Sequence, residues 1–254
     1  MSRYFLELSY MGTRYSGFQV QENANTVQAE VEKALGVLLR EQVSCTGSSR
    51  TDAGVHSLQN YFHFDIGAAI PSGTIYRLNA ILPPDIAVRS LRLVRPDAHC
   101  RFDAISRRYE YVLYERKDPF MADRAWFYPY PLDQGILQEV AGVVRQTIDF
   151  TSFAKRNSQV KTFNCNIQES AWERTGSGWI YRVRANRFLR GMVRGLVGTM
   201  LLAGRGNISV DQFRAIIADK NNQDADFSAP GKGLFLLEVI YPDGYFSDEA
   251  GEGR

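Results

Sequence analysis

One carboxylate stands out in the stretch GSSRTDAGVHS, Gly47 to Ser57. Asp52 follows Thr51 and precedes Ala53-Gly54, in a run where Ser48, Ser49 and Ala53 leave room for a ligand to approach. Gly54 supplies a left-handed turn at no steric cost. Two readings stay open from these residues alone. An Asx turn would use the carboxylate only to close a loop. The functional alternative is a carboxylate held at the rim of a cleft. His56, four residues on, is given a supporting position with no chemistry of its own.

Two further stretches carry chemistry-bearing side chains. ANRFLRGMVRGLVG predicts a helix from Phe188, on which Arg187, Arg190 and Arg194 share a face at spacings of three and four. An arginine among Leu189, Met192, Val193 and Leu196 is costly unless an anion pairs with it, structural or catalytic. Gly191, Gly195 and Gly198 each cost about 1 kcal/mol relative to alanine in a helix, so close approach by another segment is expected there. RFDAISRRYEY places Tyr109 and Tyr111 on one side of a strand, behind Arg107 and Arg108. Interleaved basic and aromatic residues suit phosphate contact with base stacking; an aromatic core face with a solvated basic face is the plainer alternative.

The elements that must position these residues follow from periodicity. Strands are expected at Tyr4–Met11, Gln59–Ile66, Ile86–Val94 and Arg107–Glu115. Val27, Val31, Ala34, Leu35 and Leu38 mark a helix capped by Asn25 or Thr26, and Leu137, Val140 and Val144 mark another. SAWERTGSGWIYRVRANRF reads as a hairpin turning at Thr175–Gly178, SVDQFRAIIADK as a helix with a Ser209/Gln212 capping box, and GLFLLEVIY as the last strand. This pattern argues for an α+β fold with sheets packed on helices on one side. The expected division is 1–105, 106–245 and a frayed polar tail at 246–254. The loop Lys155–Asn164 is read as a contact for RNA or as a solvated loop.

Bulk properties narrow the classes. The 254 residues, 44% of them hydrophobic, are enough to bury a real core. No apolar run reaches about 18 residues, so no membrane span is expected, and the start lacks an apolar signal core. Cys45, Cys100 and Cys165 are odd in number and far apart, which predicts free thiols in a reducing cytoplasm and no zinc. Six of the 30 basic residues are Lys and the rest are Arg, the residue suited to phosphate and base stacking.

GSSRTDAGVHS, SRRYEYVLY, NRFLRGMVRGLVG and GKGLFL, in this order and spacing, resemble the tRNA pseudouridine synthase A family. SYMGTRYSGFQVQENANTVQAEVEKAL, NAILPPDIAV, HCRFDAISRRY and DFTSFA extend the resemblance over residues 4 to 241. Ser48 and Ser49 stand where the family often has glycine or alanine, and Phe18 where it often has tryptophan. The resemblance implies a pseudouridine synthase fold: two ferredoxin-like α/β halves related by a pseudo-twofold, sharing a continuous, mixed, mainly antiparallel sheet with a central RNA-binding cleft. It implies isomerisation of uridine to pseudouridine at positions 38, 39 and 40 of tRNA, by a cytoplasmic homodimer without metal or cofactor. It puts the essential aspartate on Asp52, the active-site tyrosine on Tyr109 and the paired arginine on Arg194. Arg50 and Thr51 flank the aspartate as substrate contacts, and Arg14, Arg101, Arg107, Arg108, Arg187 and Arg190 are candidate phosphate contacts. An inactive RNA-binding protein of the same fold is the chief alternative. A glycoside hydrolase is disfavoured because no second motif carboxylate accompanies Asp52.

Overall fold

Alternation of Leu6, Leu8 and Tyr10 with polar neighbours produces β1, Ser2–Tyr10. The computed structural model of the chain describes residues 1–67, 70–155 and 160–246. Two compact units divide it: Met1–Ile105 together with the chain from Leu236 onward, and Ser106–Phe235. The second half expected at 106–245 is therefore shorter, because the chain returns to the first unit inside its last strand.

In the first unit β1 leads to α1, Val27–Leu39, capped by Thr26, whose Oγ1 accepts the Ala29 N–H at 3.3 Å. The two-residue β2, Thr46–Gly47, precedes β3, His56–Ile66, which begins three residues earlier than periodicity suggests. Helix α2, Thr74–Ile81, and β4, Ile86–Val94, follow. Periodicity missed α2, since it is one short stretch with only Thr74 and Leu78 buried; the spacing of Ile75, Leu78 and Leu82 before Pro83-Pro84 was its trace. β1 pairs antiparallel with β3 and with β4, setting Leu6 opposite both Phe62 and Leu91. One face of this sheet, Leu6, Leu8, Phe62 and Val88, packs on Val31 and Leu35 of α1 and Leu78 of α2.

The other face carries Phe5, Tyr61 and His63, and it is covered by Tyr241, Tyr245 and Phe246. Phe246 lies 5.9 Å from Phe5, and the Tyr245 hydroxyl donates to Asp103 at 2.6 Å. Tyr245 and Phe246 are half-buried against the sheet, so Phe246 is not the start of a frayed tail, because the sheet face needs apolar cover. Residues 247–254 lie outside the described residues.

The second unit opens with β5, Ser106–Tyr114, joined in parallel by β6, Trp126–Phe127. Asp133 caps α3, Gln134–Gln146, whose Leu137, Val140 and Val144 are buried. The hairpin of β7, Ile167–Arg174, and β8, Gly178–Ala185, closes through the Thr175 N–H to the Gly178 carbonyl at 2.9 Å. β8 pairs antiparallel with both β5 and β7. Helix α4, Met192–Gly204, and α5, Val210–Ala218, precede β9, Leu234–Ile240. The Ser209/Gln212 capping box is present on α5. In the first unit the strand order is β4-β1-β3-β9. Strands and helices are segregated and pairing is mainly antiparallel, an α+β arrangement. Residues 156–159 of the Lys155–Asn164 loop lie outside the described residues.

Candidate active site

Asp52 sits half-buried in a turn closed by the Val55 N–H to the Asp52 carbonyl at 3.2 Å. Gly54 is the third residue of that turn with φ +76, the left-handed angle expected of it. The loop is clamped by segments far away in sequence. Phe18 N–H donates to the Thr51 carbonyl at 3.1 Å, and Gly54 N–H to the Tyr15 carbonyl at 3.4 Å. A side chain at Gly12 would bring its Cβ to 2.0 Å from the Val55 carbonyl oxygen, so only glycine fits there.

Beneath the loop lies a buried polar network. Thr51 Oγ1 and the Tyr10 hydroxyl are 2.8 Å apart. Asn60, fully buried, donates to the Ser49 carbonyl at 3.0 Å and to the Tyr10 hydroxyl at 3.3 Å. Its Oδ1 accepts from Ser48 Oγ at 2.7 Å and from the Tyr61 N–H at 2.9 Å, which uses both ends of the amide. Burial pushes the Tyr10 phenol up to about 12, so it stays a neutral hydroxyl at neutral pH. Ser48 and Ser49 do not leave room for a ligand as their size suggested; both are buried, with Ser48 tied into this network. His56 is fully buried and its Nδ1 accepts the Gly12 N–H at 3.0 Å, a supporting position. Tyr10, Gly12, Phe18 and Asn60 were absent from the expected site. Nothing local marks them, since each is identified only by what it touches.

Tyr109 and Arg194 stand in the second unit. Tyr109 is buried on β5, its ring edge-on to Phe188 at 5.0 Å. Tyr111 shares that side of the strand and donates to the Pro230 carbonyl at 2.8 Å. Burial raises the Tyr111 phenol despite the Arg194 charge, which acts in the opposite sense. The other side of β5 is charged: Arg108 pairs with Glu169 at 3.1 Å and Glu110 with Arg182 at 2.7 Å.

The helix bearing Arg194 starts four residues later than the apolar run implies. Gly191 adopts φ +74 as its N-cap, so α4 begins at Met192. Arg187 and Arg190 therefore precede the helix and do not share a helical face with Arg194. Half-buried Arg194 donates from Nε to the Ala229 carbonyl at 2.6 Å. The close approach expected of the glycines is present. A Cβ at Gly198 would stand 2.3 Å from the Asp226 carbonyl oxygen, and one at Gly195 would stand 2.8 Å from the Phe227 ring. Thr199 completes the clamp by accepting the Asp226 N–H at 2.9 Å.

The remaining arginines differ in their commitments. Arg14 is exposed and 3.4 Å from Asp85. Arg50 is exposed and has no ion-pair partner among the described residues. Arg101 is exposed, its guanidinium 5.7 Å from the Phe102 ring centroid. Arg107 is buried and donates to the Asn186 carbonyl at 3.2 Å, contrary to a surface phosphate contact. Arg187 is half-buried near Cys165, and Arg190 is exposed. His63, His99 and Cys100 bring donor atoms within 4.8 Å of one another. One nitrogen of each ring accepts a backbone hydrogen bond: His63 Nδ1 from the Cys100 N–H at 3.3 Å, and His99 Nδ1 from the Arg101 N–H at 3.2 Å. Cys100 itself donates to the Thr46 carbonyl at 3.1 Å, so the cluster is a hydrogen-bonded knot.

The tRNA pseudouridine synthase family model matches residues 8–103 and 147–242. A tRNA pseudouridine synthase A of Parabacteroides distasonis is 44% identical over 251 residues, spanning 98% of this chain and 100% of the relative. One of Bacteroides thetaiotaomicron is 44% identical over 98% of this chain and 94% of its own length. One of Staphylococcus aureus (strain MRSA252) is 38% identical over 95% of this chain and 92% of its own. No helix among the described residues is long and apolar enough to cross a membrane. Matches of this identity over nearly the whole length establish that the chain belongs to the tRNA pseudouridine synthase family.

Proposed function

We propose that this protein isomerises uridine to pseudouridine at positions 38, 39 and 40 in the anticodon arm of tRNA. The observation that carries the proposal is the near full-length similarity to relatives named tRNA pseudouridine synthase A, with the aspartate turn of their resemblance built here on a rigid polar base. The reaction breaks the N1–C1′ bond, rotates the uracil, forms a C5–C1′ bond, and moves a proton from C5 to N1 overall. Asp52 acts as an anion on the ribose, either attacking C1′ or removing the C2′ proton. Uracil leaves as a delocalised anion and is recaptured, so no second carboxylate is required. Tyr109 stacks on the base and assists loss of the C5 proton. Arg194 supplies a fixed positive charge that favours the carboxylate form of its anionic partner.

The target uridine is stacked in the stem-loop and must be flipped out to react. Arg50 and Thr51 adjoin the aspartate as substrate contacts. Arg14, Arg101, Arg187 and Arg190 take phosphates, while Arg107 and Arg108 are committed to Asn186 and Glu169 and hold β5. The protein works as a cytoplasmic homodimer and needs no cofactor.

The test is tritium release from C5-labelled uridine in tRNA, comparing wild type with Asp52→Ala. Release by wild type and none by a folded Asp52→Ala is expected. Wild-type protein that binds tRNA yet releases no tritium would leave only the RNA-binding alternative. Sedimentation equilibrium checks the dimer, and binding that weakens with added salt checks the phosphate contacts.

A further inference from the structure

A cavity of about 250 Å³ opens beside the aspartate loop within the first unit, lined in part by Gln19, Gly47, Arg50, Arg101 and Phe102. It is smaller than the roughly 300–1,000 Å³ of sites for drug-sized ligands, so it suits one flat ring better than a whole cofactor. Its chemistry is unusual for a plain surface dimple. Phe102 is 73% exposed, and Arg50 and Arg101 are exposed beside it.

The exposure of Phe102 is not looseness. Its N–H donates to His99 Nδ1 at 3.4 Å, the next N–H, of Asp103, donates to the His99 carbonyl at 3.0 Å, and the His99 ring lies 4.2 Å from the Phe102 ring. A fixed, exposed aromatic ring that lines the same cavity as two arginines matches what single-stranded RNA requires: a stacking platform and cations for the backbone. Gln19 adds an amide, with both donor and acceptor capacity for a base edge. The loop carrying Asp52 forms one wall, since Gly47 and Arg50 belong to both.

We propose that this cavity seats a second, unstacked base of the RNA, a nucleotide neighbouring the target uridine, stacked on Phe102 with its phosphates between Arg50 and Arg101. The inference rests on the tRNA reading above and adds to it a second recognition point. Seating a neighbour offsets part of the cost of unstacking the target and sets which nucleotide reaches Asp52.

Binding of a labelled anticodon stem-loop by fluorescence anisotropy tests this, with tritium release measured in parallel. Phe102→Ala should raise Kd about tenfold, the scale of one lost base–aromatic stack, while Phe102→Tyr holds Kd within about twofold. Thermal melts should coincide, since the side chain is exposed. In a scan of single abasic substitutions, one loop position should weaken binding by wild type and leave Phe102→Ala unaffected, the signature of a coupled pair. Unchanged Kd in Phe102→Ala, or abasic penalties equal in both proteins, would overturn the base seat. So would altered sedimentation of Phe102→Ala with unaltered Kd, which would mark a contact between copies of the chain. Because Kd is read independently of turnover, wild-type binding without tritium release would defeat the isomerase reading while the seat is still judged on binding.

Discussion

Around Asp52 the chain is held by buried polar atoms; around Arg194 it is held by the absence of side chains. The aspartate loop rests on Asn60, Tyr10 and Thr51, each bonded to another or to the loop backbone. The segment 226–229 instead lies directly on α4 because Gly195 and Gly198 leave room for Phe227 and the Asp226 carbonyl. A hydrogen-bonded network fixes direction and is sensitive to the identity of each partner. A glycine contact fixes distance and is sensitive to volume. The loop that must aim a carboxylate uses the first device, and the helix that must bring a cation near a neighbouring segment uses the second.

Breaking the two devices should therefore give different phenotypes. Gly198→Ala forces a methyl group against the Asp226 backbone and should cost about 3 kcal/mol in urea unfolding, with turnover per folded molecule reduced less than stability. Asn60→Ala removes the hydrogen bonds to Ser48 Oγ, the Ser49 carbonyl and the Tyr61 N–H, at about 2 kcal/mol. It should lower kcat about 10- to 100-fold with KM little changed, because the loop then misplaces Asp52. If Gly198→Ala proves the worse for kcat and Asn60→Ala the worse for stability, the contrast is wrong. A smaller effect separates both from simple helix loss: Ser209→Ala removes the capping box of α5 and should cost about 1 kcal/mol, with kcat untouched.

A separate effect concerns pH. Burial, with His99 and Arg3 nearby, lowers His63 to about 4, below the roughly 6.5 of an unfolded chain. Between those values the unfolded chain binds a proton that the native protein does not, so His63 contributes stability above about pH 6.5 that is lost as pH falls towards 4. Unfolding midpoints of His63→Gln should lack that part of the slope. Equal slopes in both proteins would remove His63 as its source.

Much of this was legible in the chain. β4 matches its expected bounds, the caps at Thr26 and Ser209 are present, and the glycines of the α4 run do meet close neighbours. These signals are local: alternation, a hydroxyl before a helix, an absent Cβ. The failures are also local in cause. Gly191 was counted as a helical residue, yet its left-handed φ makes it a cap, and that one angle removes Arg187 and Arg190 from the face of Arg194. α2 was too short for periodicity to register. Phe246 read as tail because its polar neighbours outweighed one aromatic ring.

By itself the sequence determined the family and the α+β pattern and singled out Asp52 as the candidate carboxylate, because motif residues and spacing survive without coordinates. Only the tertiary structure decided how Asp52 is held. Asn60 reaches Tyr10 across 50 positions, and Tyr10 reaches Thr51 across 41. Burial is what makes those bonds matter, since a polar atom removed from water must find its partner within the fold. No window of neighbouring residues contains that information; it arises when β1 and β3 pair and bring Tyr10 and Asn60 beneath the loop.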